Sequence, residues 1–304
     1  MFNGQWSMFN GQWSIKHLEL IIMKFYITVI LMMMGATLSG FAQKERQLVI
    51  LHTNDMHSTI WPLSEELPDT MKAGRAGALR LISMVKEERE KHPDLLLFDS
   101  GDFVQGSVYY TMFKGDVEVG LLNFMGYDAA TIGNHEFDFG LEEMARMFRQ
   151  ANFPIVCSNY DFTGTPMEGI AKPYIILKRN GVKIGVFGLS PKLEGMVASY
   201  NCPGVKYLDP AKVAEQTATM LKRDMKCDVV ICISHLGWEC IHGEDDLYMI
   251  KGSRNIDLVL GGHTHSFFET LHYETDLDGK RVPDDQNGKH GIFVGKMVMK
   301  LHSK

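Results

Sequence analysis

"TIGNHEFDFG", Thr131 to Gly140, sets Asn134, His135, Glu136 and Asp138 directly after the apolar run at 128–132. Open α/β sheets gather their binding groups at the carboxyl ends of strands, so a buried strand ending in four polar side chains is a sign of that fold. The pattern repeats outward from this stretch. The run at 47–51 leads into Asp55 and His57, 94–98 into Asp102, 228–233 into His235, and 256–260 into His263 and His265. Runs at 154–157 and 183–189 also read as strands, and several of the strands are apolar enough to be covered on both faces. Helical periodicity at 78–92, 117–125, 141–151 and 210–225 separates them. Alternating strand and helix predict an α/β domain with helices on the outside.

The chain has 304 residues, 45% of them hydrophobic, enough for a large globular core. Its formal charge of −6 comes without basic runs, which excludes a binder of long nucleic acid polymers, since their affinity rests on Lys and Arg at phosphates. Residues 1–7 (MFNGQWS) recur as 8–14, too few copies for a repeat architecture, and read as spurious upstream sequence with a start at Met23. From Met23 onward, Lys24, an apolar core at 25–38 and the small-residue end Ser39, Gly40, Phe41, Ala42 form the pattern of a secretory signal peptide cut after Ala42. That core is shorter than the ~20 residues that span a bilayer. The expected organisation is an upstream and signal segment at 1–42 and one domain at 43–304, exported to the periplasm or beyond, with no stable membrane insertion after cleavage. The five cysteines match neither a zinc ribbon nor a CxxC motif, and a bridge from Cys240 to Cys227 or Cys232 stays open.

The strand-end residues are His, Asp and Asn, with no Cys. Such donors suit Zn, Mn or a similar ion, and four histidines argue against Mg or Ca. In an extended segment residues i and i+2 point the same way, so Asp55 with His57, and His263 with His265, can each offer two side chains to a common centre.

In their order, Asp55-x-His57, Gly101-Asp102, Gly133-Asn134-His135-Glu136, Ser234-His235 and Gly262-His263-Thr264-His265 resemble the five blocks of the calcineurin-like metallophosphoesterases. Within them, "LHTNDMHS" (51–58), "GNHEFDFG" (133–140) and "GGHTH" (261–265) are similar to the 5'-nucleotidase branch, which includes UDP-sugar hydrolases and 2',3'-cyclic nucleotide phosphodiesterases. The resemblance implies a layered α-β-β-α fold in which mixed β-sheets are sandwiched between α-helices. It also implies two divalent metal cofactors, one held by Asp55, His57, Asp102 and His265, the other by Asp102, Asn134, His235 and His263, with Asp102 bridging. Two divalent ions about 3.5–4 Å apart clamp a phosphate and acidify a shared water, giving hydroxide near neutral pH. His135 is implied to face the substrate, with Asp138 orienting it and raising its pKa. A cap on the helix starting near Leu141 is the alternative role for Asp138. Glu136 reads as structural, and His52, His92, His242, His272, His290 and His302 lack motif context and read as non-ligands.

The implied function is an exported phosphohydrolase acting on nucleotides or other phosphate esters. The resemblance implies a further C-terminal nucleotide-binding domain, which is expected to be absent from this chain, so a separately encoded domain protein of that type is an expected partner. A stand-alone esterase of broad specificity and a non-catalytic metal-binding subunit are the other readings. The His135 and Asp138 pair speaks against the last, which has no use for it.

Overall fold

A computed structural model describes residues 22–28, 46–241 and 243–301. The duplicated heptad, most of the expected signal segment, His242 and His302 lie outside the described residues. Residues 22–28 are an exposed helical stretch. No helix among the described residues is long and apolar enough to cross a membrane.

The strands of the unit Arg46–Leu301 are β1 (Arg46–Thr53), β2 (Leu96–Asp99), β3 (Ala129–Ala130), β4 (Ile155–Val156), β5 (Tyr160–Asp161), β6 (Ala171–Lys172) and β7 (Tyr174–Arg179). They continue with β8 (Val182–Leu189), β9 (Lys206–Tyr207), β10 (Val229–Ser234), β11 (Leu258–Leu260), β12 (His272–Thr275), β13 (Arg281–Asp285) and β14 (Gly295–Leu301). One sheet has the order β14-β1-β2-β3-β4-β6, the other β12-β13-β11-β10-β8-β7, and β5 pairs with β9 alone. Both large sheets are parallel inside, with antiparallel strands at the edges: β14 on the first, β7 and β12 on the second.

Side-chain alternation along β1 shows why two sheets stack. Leu48 and Ile50 pack with Ile184, Val186, Ile231 and Ile233 of the other sheet. Their neighbours Val49 and Leu51 point the opposite way, into a layer with Leu81 and Val85 of α1 (Ala78–Lys91). A strand with two apolar faces needs two covers, and here one is a sheet and the other a helix layer. Past α2 (Val108–Phe113), helices α3 (Asp116–Met125) and α4 (Gly140–Phe148) complete that layer through Val119, Leu122, Met144 and Phe148. On the second sheet α5 (Pro210–Thr219) and α6 (Asp246–Lys251) bury Ala214, Ala218, Met249 and Ile250 against Val230 and Cys232. The start of α5 is fixed locally: Asp209 accepts from the Lys212 amide, and Pro210 occupies the first turn. The result is the α-β-β-α order the motifs imply. The run expected at 128–132 is shorter as a strand, spanning Ala129–Ala130. All five cysteines are free thiols, so the bridge to Cys240 is not formed.

Beneath the carboxyl end of the second sheet lies a buried acid pair. Asp246 bonds Ser234 through one oxygen and has no partner for the other; neither oxygen of Asp284 has one. Burial pushes Asp246 up to about 7, and burial followed by the Asp246 charge pushes Asp284 well above the usual carboxylate range. A carboxyl whose folded pKa is raised takes up a proton on folding. Its stabilisation is therefore full below pH ~4 and is lost as pH rises through the folded pKa. Asp284→Asn removes the buried acid that the Asp246 charge opposes. It should stabilise the fold by about 1–3 kcal/mol at pH 8, a rise of ~2–4 °C per kcal/mol in Tm, and leave Tm nearly unchanged at pH 4. Thermal melts at the two pH values decide this; a lower Tm at pH 8 would refute it.

Candidate metal centre

Asp55, His57, Asp102, Asn134, His235, His263 and His265 follow the ends of strands that pair in parallel, while His135 opens a 3-10 turn that ends at Asp138. Amide to carbonyl bonds hold two of these turns side by side: Asp55 N to Gly101 O and His57 N to Asp102 O, both 3.0 Å. The backbone there is left-handed, with φ of 51° at Asp55, 45° at His57, 54° at Asp102, 75° at His263 and 56° at His265. Non-glycine residues adopt this region at a cost that the surrounding structure must offset, and such residues cluster at functional sites. The extended alternation expected from the i, i+2 spacing is thus not what joins these side chains; tight turns aim them instead. Gly133 is required by close approach, because a Cβ there would overlap the Asp102 carboxylate.

Among the described residues, three groups of possible ligand atoms result, each with all its atoms within 4.8 Å: Asp55, His57 and His265; His57, Asp102 and His135; Asp102, His235 and His263. Asp55 and His57 do share a group. His263 and His265 do not; the turn splits them between the first group and the last, contrary to a common centre for both. Asp102 lies between the groups, its Oδ2 3.1 Å from His235 Nε2 and its Oδ1 accepting from the His135 amide at 2.8 Å. On the other side, His57 Nε2 and His265 Nε2 face each other at 3.0 Å, with Asp55 Oδ1 3.4 Å from the latter.

The donor set fits divalent cations. Asp55 Oδ1 and Asn134 Oδ1 are buried without a hydrogen-bond partner, which an apolar interior does not tolerate in a neutral network, and buried His235 Nε2 faces the Asp102 carboxylate at 3.1 Å. His235 Nδ1 donates to Ser100 O at 2.6 Å, fixing the ring so that Nε2 turns inward. Burial brings His57 and His263 down to about 4, so both rings are neutral at pH 7 and offer lone pairs. Burial alone would raise Asp102, but the charge of His235 outweighs it and holds the carboxyl below the usual range. Conversely, burial would lower His235, yet Asp102 lifts it to about 10. The charge bound between these two is the kind a cation would supply.

His135 projects beside the groups, its ring centroid 5.4 Å from that of His57. Its Nδ1 is 3.1 Å from Asp138 Oδ2. Burial lowers the His135 pKa, but the Asp138 hydrogen bond overcomes that and raises it. Helix α4 has no side-chain cap bond, so Asp138 is turned to His135 rather than to the helix. Tyr110 Oη donates to His135 O at 3.2 Å and Asn201 Nδ2 to Asp138 O at 3.0 Å, bracing the pair from both sides.

One supporting residue, Asn54, escaped the sequence reading, and Glu136 has the structural role read for it. Asn54 donates to Asp55 Oδ2 and to Gly288 O, both 2.8 Å, and accepts from Asn287 N, locking Asp55 to the segment after β13. Glu136 accepts from the amides of Asp102, Phe103 and Gly133, a specific job for a residue read only as structural. Adjacency to a candidate residue was the only sign of either. Of the other histidines, His52 is buried against Asp285 at 2.8 Å and His272 stacks on Phe268 at 3.8 Å. His290 Nδ1 lies 2.9 Å from Thr59 Oγ1, with its ring 5.8 Å from that of His57.

Residues 48–267 match the family model described as calcineurin-like phosphoesterase. The 5'-nucleotidase of Rattus norvegicus is 29% identical over 281 residues, covering 86% of this chain and 47% of the relative. Among solved structures, a 5'-nucleotidase precursor from Thermus thermophilus superposes with a TM-score of 0.75 at 25% identity, covering 83% of this chain and 51% of that one. A calcineurin-like phosphoesterase from Bacillus subtilis gives a TM-score of 0.71 at 26% identity and covers 86% of both chains. The chain spans about half the length of the first curated relatives it matches.

Proposed function

The chain belongs to the calcineurin-like phosphoesterase family, and on that premise we propose that it hydrolyses phosphate esters of nucleotides with two divalent ions as cofactors. The observation that carries this reading is the position of Asp102, its carboxylate between two sets of inward-facing donors. Asp55, His57, Asp102 and His265 would hold one ion, and Asp102, Asn134, His235 and His263 the other. Bound together, such ions supply positive charge against a phosphate and lower the pKa of a water molecule shared between them. The named 5'-nucleotidase relatives support a nucleotide as substrate.

The chain's own residues do the rest. His135 keeps Nδ1 engaged with Asp138, which leaves Nε2 as the atom that carries a proton toward the leaving oxygen. Asp138 favours the imidazolium, so the ring also stabilises charge that develops on the phosphate. Tyr110 and Asn201 fix the backbone of both residues and keep that geometry without touching the reacting atoms.

The test is phosphate release by the Mn²⁺-loaded chain from AMP and from p-nitrophenyl phosphate, with His135→Ala alongside. The variant should lose ~10²–10⁴-fold in kcat on AMP, the usual range for a proton donor. It should lose less on the aryl ester, whose leaving group needs no proton. Full AMP activity in the variant would remove His135 from this role. Absence of release from any ester by the native chain would sink the hydrolase reading.

A further inference from the structure

The turns that carry His235 and His263 leave neighbouring strands, β10 and β11, whose last paired residues are Ile233 and Leu260. Past that pair the ladder ends, and a hydrogen bond joins the two turns: Trp238 N donates to Thr264 Oγ1 at 3.2 Å. The same hydroxyl donates to Oε1 of fully buried Gln286 at 3.0 Å and lies 3.0 Å from Ser266 Oγ. A hydroxyl has one proton and two lone pairs, so with its proton on Gln286 it accepts from Trp238 and Ser266, and its capacity is full. Gln286 is itself fixed, since its carbonyl accepts from Phe268 N at 3.0 Å. The methyl side of Thr264 is closely fitted too. Gly237 has a φ of 93°, and a Cβ there would come within 2.8 Å of Thr264 Cγ2 and 3.3 Å of His263 Cδ2.

We propose that Thr264 is a positioning residue: by tying the His263 turn to the His235 turn, it sets the separation of the two histidines that share a group with Asp102. This rests on the two-ion reading above and concerns one ion of the two, the one assigned to Asp102, Asn134, His235 and His263. Each histidine is already held from its own side. His235 Nδ1 is bonded to Ser100 O at 2.6 Å, and the His263 amide to Asp55 Oδ2 at 2.8 Å. Thr264 adds the relation between the turns, across which the two rings stand 5.1 Å apart at their centroids. Ligand sets must be held to about 0.5 Å to bind well, so a tie between turns acts on affinity even though it touches no ion.

Calorimetric titration of the metal-free chain with Mn²⁺ tests this without turnover. Thr264→Val keeps the volume and the methyl against Gly237 but removes the hydroxyl, whereas Thr264→Ser keeps the hydroxyl. In Thr264→Val one of the two binding steps should weaken by ~10–100-fold, the range for groups that orient ligands, while the other stays near its native value. Thr264→Ser should bind both ions as the native chain does. If Thr264→Val does not fold, Thr264→Ala compared with Thr264→Ser isolates the same hydroxyl. Native-like binding of both ions without the hydroxyl overturns the proposal, even where the metal-free melt is lowered, because the role would then be in folding alone. Equal loss in the Ser variant, or equal weakening of both steps, overturns it as well. Failure of the hydrolase reading shows separately, as native chain that binds two ions but releases phosphate from neither AMP nor p-nitrophenyl phosphate. Native chain that binds fewer than two ions overturns both.

Discussion

Asp102→Asn should fold, bind fewer than two divalent ions per chain after reconstitution, and lose at least about 10³-fold in kcat/KM. The amide keeps the shape of the side chain and an oxygen for the His135 amide, so the turn survives. The charge goes, and with it the group placed between the Asp55 side and the His235 side of the centre. Asp102 also lifts His235; without it, burial wins and His235 becomes a neutral ring. That change alone leaves a good nitrogen donor, so any loss of metal is traceable to the missing carboxylate rather than to a damaged histidine. A loss of 10³ corresponds to about 4 kcal/mol of transition-state stabilisation, in the range seen when one preorganised electrostatic group is removed. Metal content by mass spectrometry and phosphate release should fall together. A variant that retains two ions and activity within tenfold of native would show that Asp102 does not bridge the two sides.

The layers of the fold were readable because apolar runs and helical periods report burial directly. β1, β8 and β10 fall within a residue or two of the expected runs, as does α1. The edge strands β7 and β12 have mixed or exposed patterns, since each is paired on one side only, and their sequences carry a weaker signal. At the centre, motif order named Asp55, His57, Asp102, His235, His263 and His265, whose possible ligand atoms fall into groups, but spacing misled on how. Periodicity assumes a regular backbone, and the turns at Asp55, His57, His263 and His265 are left-handed. Apart from Asp55 beside Asn54 and Gly133 near Glu136, the partners of these two residues are backbone groups distant in sequence, which carry no residue-type signature.

Glu136→Gln is where that hidden contribution should be largest. Glu136 is 1% exposed, and three amides converge on its carboxylate: Gly133 N at 2.6 Å and Asp102 N at 3.1 Å on Oε2, Phe103 N at 3.2 Å on Oε1. It thereby staples the turn carrying Asp102 to the turn carrying Asn134. Glutamine matches the shape but sets an NH₂ against donors, so one or two amides lose their acceptor in a buried site. A buried donor left unsatisfied costs about 1–3 kcal/mol, so the variant should lose roughly 3 kcal/mol and melt some 6–12 °C lower. Because the two turns carry candidate ligands on opposite sides of the centre, metal affinity should also drop, by the ~10–100-fold typical of groups that orient ligands. The two effects separate by titration. Excess Mn²⁺ should restore most of the kcat of Glu136→Gln at a temperature where it is folded, because its ligands are intact but loosely placed. Asp102→Asn should not recover, since it lacks a ligand. If added metal left Glu136→Gln as inactive as Asp102→Asn, Glu136 would have to act on the chemistry itself rather than through the position of the turns.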